Sequence, residues 1–267
     1  MRAILFDLDD TLVVGKSAAV AALEAVTAVA ERDAGVDGAQ LQIALPIQAD
    51  KIWSAGPEHS YCAQIGLSPW EGLWCNFEGP DSASRHLGEW APTYRREAWA
   101  EALALQGVVG HVFADRLAGL YAKERRARHQ AFDDAHLVLA TLRKRHVLGL
   151  VTNGAACLQR EKLEATELGQ YFQTVVVSAD IGVAKPDPAI FRCAVSDLGI
   201  GLSDAVMVGD NQWRDVEGAT ALGMAAVWLN RRGEAKRAAG RGVLEIPGLS
   251  RLPTVIKEMG GPSGNIA

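Results

Sequence analysis

The sequence predicts a doubly wound α/β core, built on a parallel sheet, with a large helical insertion. Short apolar runs rich in β-branched residues alternate with helical patterns, and this alternation is typical of parallel sheets. The runs are Ala3 to Phe6, Val147 to Val151, Thr174 to Ser178, Ala205 to Val208 and Ala225 to Leu229. Because several are nearly continuous apolar segments, we expect helices to cover both faces of the sheet.

The helices between these runs have recognisable ends. In KPDPAIFRCAVSDLG, Asp187 is a suitable N-cap, Pro188 suits the first turn, and Gly199 lies where the helix would stop. Gly223 would close the helix of DVEGATALGM in the same way. Each of these helices is therefore predicted to link two strands.

Residues 15–129 interrupt the alternation. They contain helical patterns such as SAAVAALEAVTAVAERD and YRREAWAEALAL, with no series of strands. Loops are expected to interrupt the helices between Gly56 and Gly88, which is rich in Gly, Pro and Ser. Five of the seven tryptophans lie in this insertion, which indicates an apolar core of its own. The predicted domains are a core of residues 1–14 and 130–260, a helical domain of residues 15–129, and a flexible tail of residues 261–267.

Composition argues against several functional classes. The 267-residue chain has a net charge of −5, which provides no basic surface for a nucleic-acid backbone. No apolar stretch approaches the roughly 20 residues that a bilayer crossing needs. The N-terminus lacks the features of a secretory signal, so a cytoplasmic protein is expected. Nucleic acid and membrane are therefore not expected as partners, and the sequence carries no signal for an oligomeric state.

The four cysteines are Cys62, Cys75, Cys157 and Cys193. Their wide spacing fits neither a zinc site nor a disulfide framework, so reduced thiols are expected.

The segment FDLDDT carries the strongest chemical signal. It places Asp7 and Asp9 at the C-terminal end of the first strand, where the crevice of an open α/β sheet binds its ligand. Two carboxylates held in different protonation states can divide a reaction, since one attacks phosphorus while the other handles protons. An ordinary strand end with surface acids is the alternative for this motif taken alone.

Three later segments also follow predicted strands. VTNG offers the Thr152 hydroxyl and, near Asn153, backbone N–H groups suited to phosphate oxygens. AKPDP supplies Lys185, whose positive charge can neutralise a phosphoryl group. GDNQWRD supplies Asp210 and Asp215, which are hard oxygen ligands of the kind that Mg²⁺ prefers. Helix capping or a solvated side chain explains each segment singly, but a doubly wound sheet would bring all of them to one crevice.

In this order, the four segments resemble the motifs of the haloacid dehalogenase superfamily of hydrolases, whose core is Rossmann-like. The resemblance implies that Asp7 is the nucleophile of an aspartyl-phosphate intermediate and that Asp9 is the general acid and base. Thr11 would support the first loop and belong to the substrate-binding set. It further implies a phosphatase that uses Mg²⁺ bound by the Asp7 carboxylate, the Asp9 backbone carbonyl and Asp210.

The same resemblance assigns the remaining residues of the site. Thr152 and Lys185 would hold the phosphoryl group, Asn153 would contribute through its backbone, and Asp215 would steady the metal shell or Lys185. Lys185 is thus both a catalytic and a substrate-binding residue in this interpretation. The insertion is similar to a helical C1 cap, and the core most resembles the branch that contains acylneuraminate-9-phosphatase and nucleotide phosphatases.

The resemblance therefore implies hydrolysis of a small phosphomonoester, such as a sugar phosphate, a nucleotide or a similar metabolite. Asp9 favours phosphoryl chemistry over dehalogenation, because an enzyme that attacks carbon does not need a second acid. A phosphomutase remains an alternative, since it uses the same pair of acids. A binding or regulatory protein that keeps the fold without turnover is the alternative from another class.

Overall fold

The computed structural model describes residues 2–235 and 243–259. The described chain forms two compact units. One lies within Met1–Val14, Gln130–Asn153 and Lys162–Ala267, and the other within Gly15–His129 and Gly154–Glu161. We call them the core unit and the helical unit. Residues 154–161 group with the helical unit, which the sequence did not indicate, and the predicted tail of residues 261–267 is outside the described residues.

Within the described residues, the core unit contains a single six-stranded sheet whose strand order is β3-β2-β1-β4-β5-β6. All five strand pairings are parallel, which confirms the predicted α/β class. The strands are β1 (Ala3–Phe6), β2 (Val147–Thr152), β3 (Thr174–Val177), β4 (Ala205–Gly209), β5 (Ala225–Leu229) and β6 (Val243–Ile246). The sequence predicted the first five of these strands but not β6.

The register of β1 determines where the site forms. Phe6, the last residue of β1, aligns with Leu150 of β2 and with Val208 of β4. The strand order reverses at β1, and the crevice beside such a point is where open α/β sheets bind ligands. The residues that follow β1, β2 and β4 therefore meet at one edge of the sheet.

Helices dominate the second unit. They are α1 (Lys16–Ala34), α2 (Gly38–Ser54), α3 (His59–Ile65), α4 (Pro69–Gly72), α5 (Ser82–Ala104) and α6 (His111–Arg126). Loops interrupt the helices between Gly56 and Gly88, as predicted, and the short helices α3 and α4 lie between these loops. A capping box, in which Ser68 and Glu71 each bond the other's backbone N–H, begins α4. Trp53, Trp74 and Trp99 are buried, as expected for a unit with its own core.

The remaining described α-helices are α7 (Ala135–Leu142), α8 (Ala156–Ala165), α9 (Ser178–Ile181), α10 (Pro188–Asp197), α11 (Gly218–Thr220) and α12 (Leu252–Met259).

Side chains of β1 alternate between two apolar clusters, because successive residues of a strand point to opposite faces. Ile4 and Phe6 pack with α7 and α12, whereas Ala3 and Leu5 pack with α10. Helices thus cover both faces of the sheet, as the apolar strands predicted.

The predicted helix ends are also observed. The Asp187 side chain accepts a hydrogen bond of 2.8 Å from the backbone N–H of Ala189, at the start of α10. Gly199 and Gly223 adopt positive φ angles of 63° and 73°, a conformation that glycine adopts without steric cost. None of the described helices combines the length and the apolar character that a bilayer crossing requires.

Candidate active site

Asp7 follows β1 directly and is held from several sides. Its backbone N–H donates to the carbonyl oxygen of Val208 at 3.0 Å. The Thr11 hydroxyl donates to Asp7 Oδ2 at 3.0 Å, and Lys185 Nζ donates to Asp7 Oδ1 at 2.6 Å. The residue is only 7% exposed, so these contacts fix an almost fully buried carboxylate at the sheet edge.

Thr11 links the loop after β1 to the end of β4. The threonine is fully buried, and its hydroxyl oxygen accepts a hydrogen bond of 3.0 Å from the backbone N–H of Asp210. A hydroxyl has a single proton to donate, and here that proton goes to Asp7. These two bonds orient Asp7 relative to Asp210, and substrate binding by Thr11 stays a prediction.

Lys185 joins the nucleophile candidate to a second acid. Its Nζ atom lies 2.6 Å from Asp7 Oδ1, 2.7 Å from Asp215 Oδ1 and 2.7 Å from the carbonyl oxygen of Val151. Burial lowers the pKa of Lys185, but the adjacent carboxylates of Asp215 and Asp7 outweigh burial and hold that pKa above its ordinary value. A buried ammonium is stable only when it is paired, and two carboxylates provide this pairing.

Thr152 and Asn153 lie at the end of β2. Thr152 is its last residue, and it is 1% exposed. The Asn153 amide donates to the carbonyl oxygen of Lys185 at 3.0 Å and accepts from the Lys185 backbone N–H at 2.8 Å. The Asn153 side chain thus positions Lys185. Contact between the Asn153 backbone and a ligand stays a prediction.

Asp215 is nearly inaccessible, at 1% exposure, and packs against the end of β4. Its Oδ2 atom accepts a hydrogen bond of 3.0 Å from the backbone N–H of Asn211, while Oδ1 faces Lys185. Asp215 therefore holds the Lys185 ammonium and the backbone at Asn211.

One oxygen from each of Asp7, Asp210 and Asp215 lies within 4.8 Å of the others. Burial raises the pKa of Asp7 to about 8, Lys185 opposes this rise, and the Asp215 and Asp210 carboxylates add to it. A cation among these oxygens would offset that rise and favour the ionised form of Asp7. Carboxylate oxygens are the donors that Mg²⁺ prefers, so this donor set fits such an ion.

Asp210 has further contacts besides its backbone bond to Thr11. Trp228 Nε1 donates to its backbone carbonyl oxygen at 2.9 Å, and Arg232 lies 3.1 Å from its Oδ2 atom. The sequence interpretation did not include Arg232. The available signal was its place immediately after β5, in the segment LNRRG.

Asp9 contacts a different lysine. Lys162 Nζ lies 2.8 Å from Asp9 Oδ1 and 2.8 Å from Asp9 Oδ2. The lysine side chain is 4% exposed and the Asp9 side chain is 34% exposed. Lys162 was also absent from the sequence interpretation. Two of the three acids of FDLDDT therefore contact buried lysines, Asp7 with Lys185 and Asp9 with Lys162.

Comparison with known proteins identifies the class. A family model described as haloacid dehalogenase-like hydrolase matches residues 1–223, and the chain belongs to this family. Similar proteins that cover much of the chain include named phosphatases, and the chain is a phosphoric monoester hydrolase.

The similarities extend over most of the chain. It is 36% identical to the phosphoserine phosphatase of Thermus thermophilus over 86% of this chain and 89% of that protein. A segment covering 52% of this chain and 57% of the relative is 35% identical to human N-acylneuraminate-9-phosphatase, the branch that the sequence suggested. The crystal structure of 2-haloacid dehalogenase from Pseudomonas syringae pv. Tomato is 26% identical, covers 97% of this chain and 99% of its own, and has a TM-score of 0.61.

Proposed function

We propose that the chain is a Mg²⁺-dependent phosphatase that hydrolyses a small phosphomonoester through an aspartyl-phosphate on Asp7. The observation that carries the proposal is that the buried Asp7 carboxylate accepts a hydrogen bond of 2.6 Å from the Lys185 ammonium and has an oxygen within 4.8 Å of one from Asp210. A nucleophilic carboxylate and a phosphoryl group repel each other, so attack requires positive charge on both sides of the reacting atoms.

The residues that would hold Mg²⁺ are Asp7, Asp210 and, through its backbone carbonyl, Asp9. When bound, the ion supplies positive charge that neutralises the phosphoryl oxygens and the nucleophile. Asp215 supports this arrangement indirectly, because its contacts go to Lys185 and to the backbone of Asn211.

In the first step, an Asp7 oxygen attacks phosphorus and the P–O bond to the leaving group breaks. Lys185, the Thr152 hydroxyl and the Asn153 backbone hold the phosphoryl oxygens, and Asp9 gives its proton to the departing alkoxide. In the second step, Asp9 takes a proton from water, which attacks phosphorus, releases inorganic phosphate and restores Asp7.

The substrate is proposed to be a small phosphorylated metabolite. Phosphoserine is the first compound to test, because the relative that aligns with most of this chain is a phosphoserine phosphatase. Sugar phosphates and nucleotides follow, because the second relative is an acylneuraminate-9-phosphatase.

Release of inorganic phosphate from this panel tests the proposal. Activity should appear with added Mg²⁺, disappear on chelation and be abolished in Asp7→Asn. Asp133→Asn is the matched control, because Asp133 is an exposed acid of the core unit and its change should leave activity intact. Activity that persists in Asp7→Asn or after chelation would overturn the mechanism. Conversion to an isomeric phosphate without phosphate release would indicate a mutase, and turnover of 2-chloropropionate alone would indicate a dehalogenase.

A further inference from the structure

The proposed reaction assigns no role to Lys162, which contacts Asp9. Lys162 lies within α8, in the core unit, and is 3% exposed. Its ammonium is equidistant from the two Asp9 oxygens, at 2.8 Å. A buried ammonium that faces both oxygens of a carboxylate restricts the rotation of that carboxylate, because turning it away would leave the ammonium poorly paired.

We propose that Lys162 is a positioning residue for proton transfer, which fixes the carboxylate of Asp9 where it serves the leaving group and the attacking water. This inference rests on the proposed function, since it concerns the residue assigned there as general acid and base.

Asp9 needs such support because its side chain is one-third exposed. An aspartate at the surface samples several rotamers, and proton transfer requires the carboxylate within hydrogen-bond reach of the reacting oxygen. The two contacts of 2.8 Å with Lys162 hold the Asp9 carboxylate in one orientation.

Lys162 and Lys185 therefore have separate tasks. Lys185 contacts Asp7 and Asp215, close to where the phosphoryl group would bind. Lys162 contacts the proposed proton-transfer acid, Asp9. Removing Lys162 should thus impair proton delivery, whereas removing Lys185 should impair phosphoryl transfer with every substrate.

The test uses two substrates that differ in their need for an acid. p-Nitrophenolate leaves without protonation, whereas an alkoxide requires a proton. In Lys162→Met, kcat/KM for the best alkyl phosphomonoester of the panel should fall about 10- to 100-fold, and that for p-nitrophenyl phosphate by less than about threefold. Lys162→Arg should restore most of the alkyl activity, because a guanidinium can also contact both carboxylate oxygens.

A double-mutant cycle provides the second measurement. If Lys162 acts through Asp9, Lys162→Met should cause little further loss in an Asp9→Asn background. Thr166→Val is the control for disturbance of α8. The Thr166 hydroxyl donates to the backbone carbonyl oxygen of Lys162, so this variant disturbs the end of the helix and keeps the Lys162 side chain. This variant should lower the melting temperature without changing the ratio of kcat/KM for the two substrates.

The outcomes separate this inference from the proposed function. Equal losses for both substrates in Lys162→Met, or additive losses in the double mutant, would refute the role of Lys162 while leaving the phosphatase mechanism intact. Absence of a leaving-group effect in Asp9→Asn itself would refute the assignment of Asp9, and with it this inference. Retention of activity in Asp7→Asn would instead overturn the proposed function.

Discussion

Gly209 and Asp215 are so close that only glycine fits at position 209. A Cβ atom on Gly209 would lie 2.3 Å from Oδ2 and 2.6 Å from Cβ of Asp215. Rotating the aspartate side chain cannot relieve a clash with its own Cβ, so the backbone of one residue must shift. Because Asp215 holds Lys185, which in turn holds Asp7, this shift would reach the nucleophile.

Gly209→Ala is therefore expected to reduce kcat by about 100-fold, because a displacement of about 1 Å in a catalytic group can lower the rate by this factor. Phosphate release under saturating substrate measures this effect. Gly119→Ala is the matched control, because a Cβ there meets no atom within 4 Å in the middle of α6. It should keep full activity and raise helix stability by about 0.5–1 kcal/mol. Wild-type activity in Gly209→Ala would show that a backbone shift at Gly209 or Asp215 does not displace Asp7.

Lys185→Met removes the ammonium between two buried carboxylates. We expect kcat to fall by at least about 100-fold with every substrate, since the charge that faces the phosphoryl group is lost. Breaking a buried ion pair by removing one partner costs about 3–5 kcal/mol, so urea denaturation should also show a marked loss of stability. Lys144→Met, which removes an exposed lysine of the same unit, should change neither quantity. Equal activity of the two variants would contradict the role of Lys185.

The sequence predicted the sheet well because its strands are buried. The runs that became β1, β2, β3, β4 and β5 are apolar on both faces, and this pattern is distinct from that of a surface helix. The sixth strand, Val243–Ile246, is only partly buried and includes an exposed glutamate, so its pattern is much weaker. The bounds of α3 and α4 were not predicted, because these short segments lie among glycines and prolines that indicate only that loops interrupt the helices there.

The candidate site was predictable wherever its residues directly follow strands. Asp7, Thr152 and Asp210 are examples, because the topology of the sheet brings such positions together. Lys162 was not predictable, because it lies inside a helix and 153 residues away from Asp9 along the chain. The contacts of Thr11 with Asp7 and with the backbone of Asp210 were not predictable, because they depend on how the folded chain brings the loop after β1 to the end of β4.

Mg²⁺ should stabilise the protein as well as activate it. Binding to the folded state alone, at 100 times the dissociation constant, adds about 2.7 kcal/mol and should raise the melting temperature by roughly 5 to 10 °C. This shift should disappear in Asp210→Asn, which removes one of the three clustered carboxylates. Asp133→Asn should retain it. Differential scanning fluorimetry with and without Mg²⁺ measures the shift independently of turnover, and an unchanged shift in Asp210→Asn would exclude Asp210 as a ligand.

Cys157 should be the most reactive thiol of the helical unit. Its Sγ atom lies 3.7 Å from Sγ of Cys75, near the start of α8. The hydrogen bond with Cys75 lowers the pKa of Cys157 to about 7, against the effect of burial and with help from the backbone N–H groups of Glu78 and Leu158. By contrast, burial raises the pKa of Cys62 to about 12.

Since the thiolate is the nucleophile, alkylation of Cys157 by iodoacetamide should accelerate as the pH rises through about 7 and level off above it. Cys62 should remain unmodified over the same range. Cys75→Ala removes the neighbouring thiol and should move the midpoint for Cys157 to higher pH, whereas Cys193→Ala should leave it in place. Peptide mass spectrometry over a pH series reads the rate at each cysteine separately. A midpoint that stays near pH 7 in Cys75→Ala would mean that the helix start, rather than the neighbouring thiol, activates Cys157.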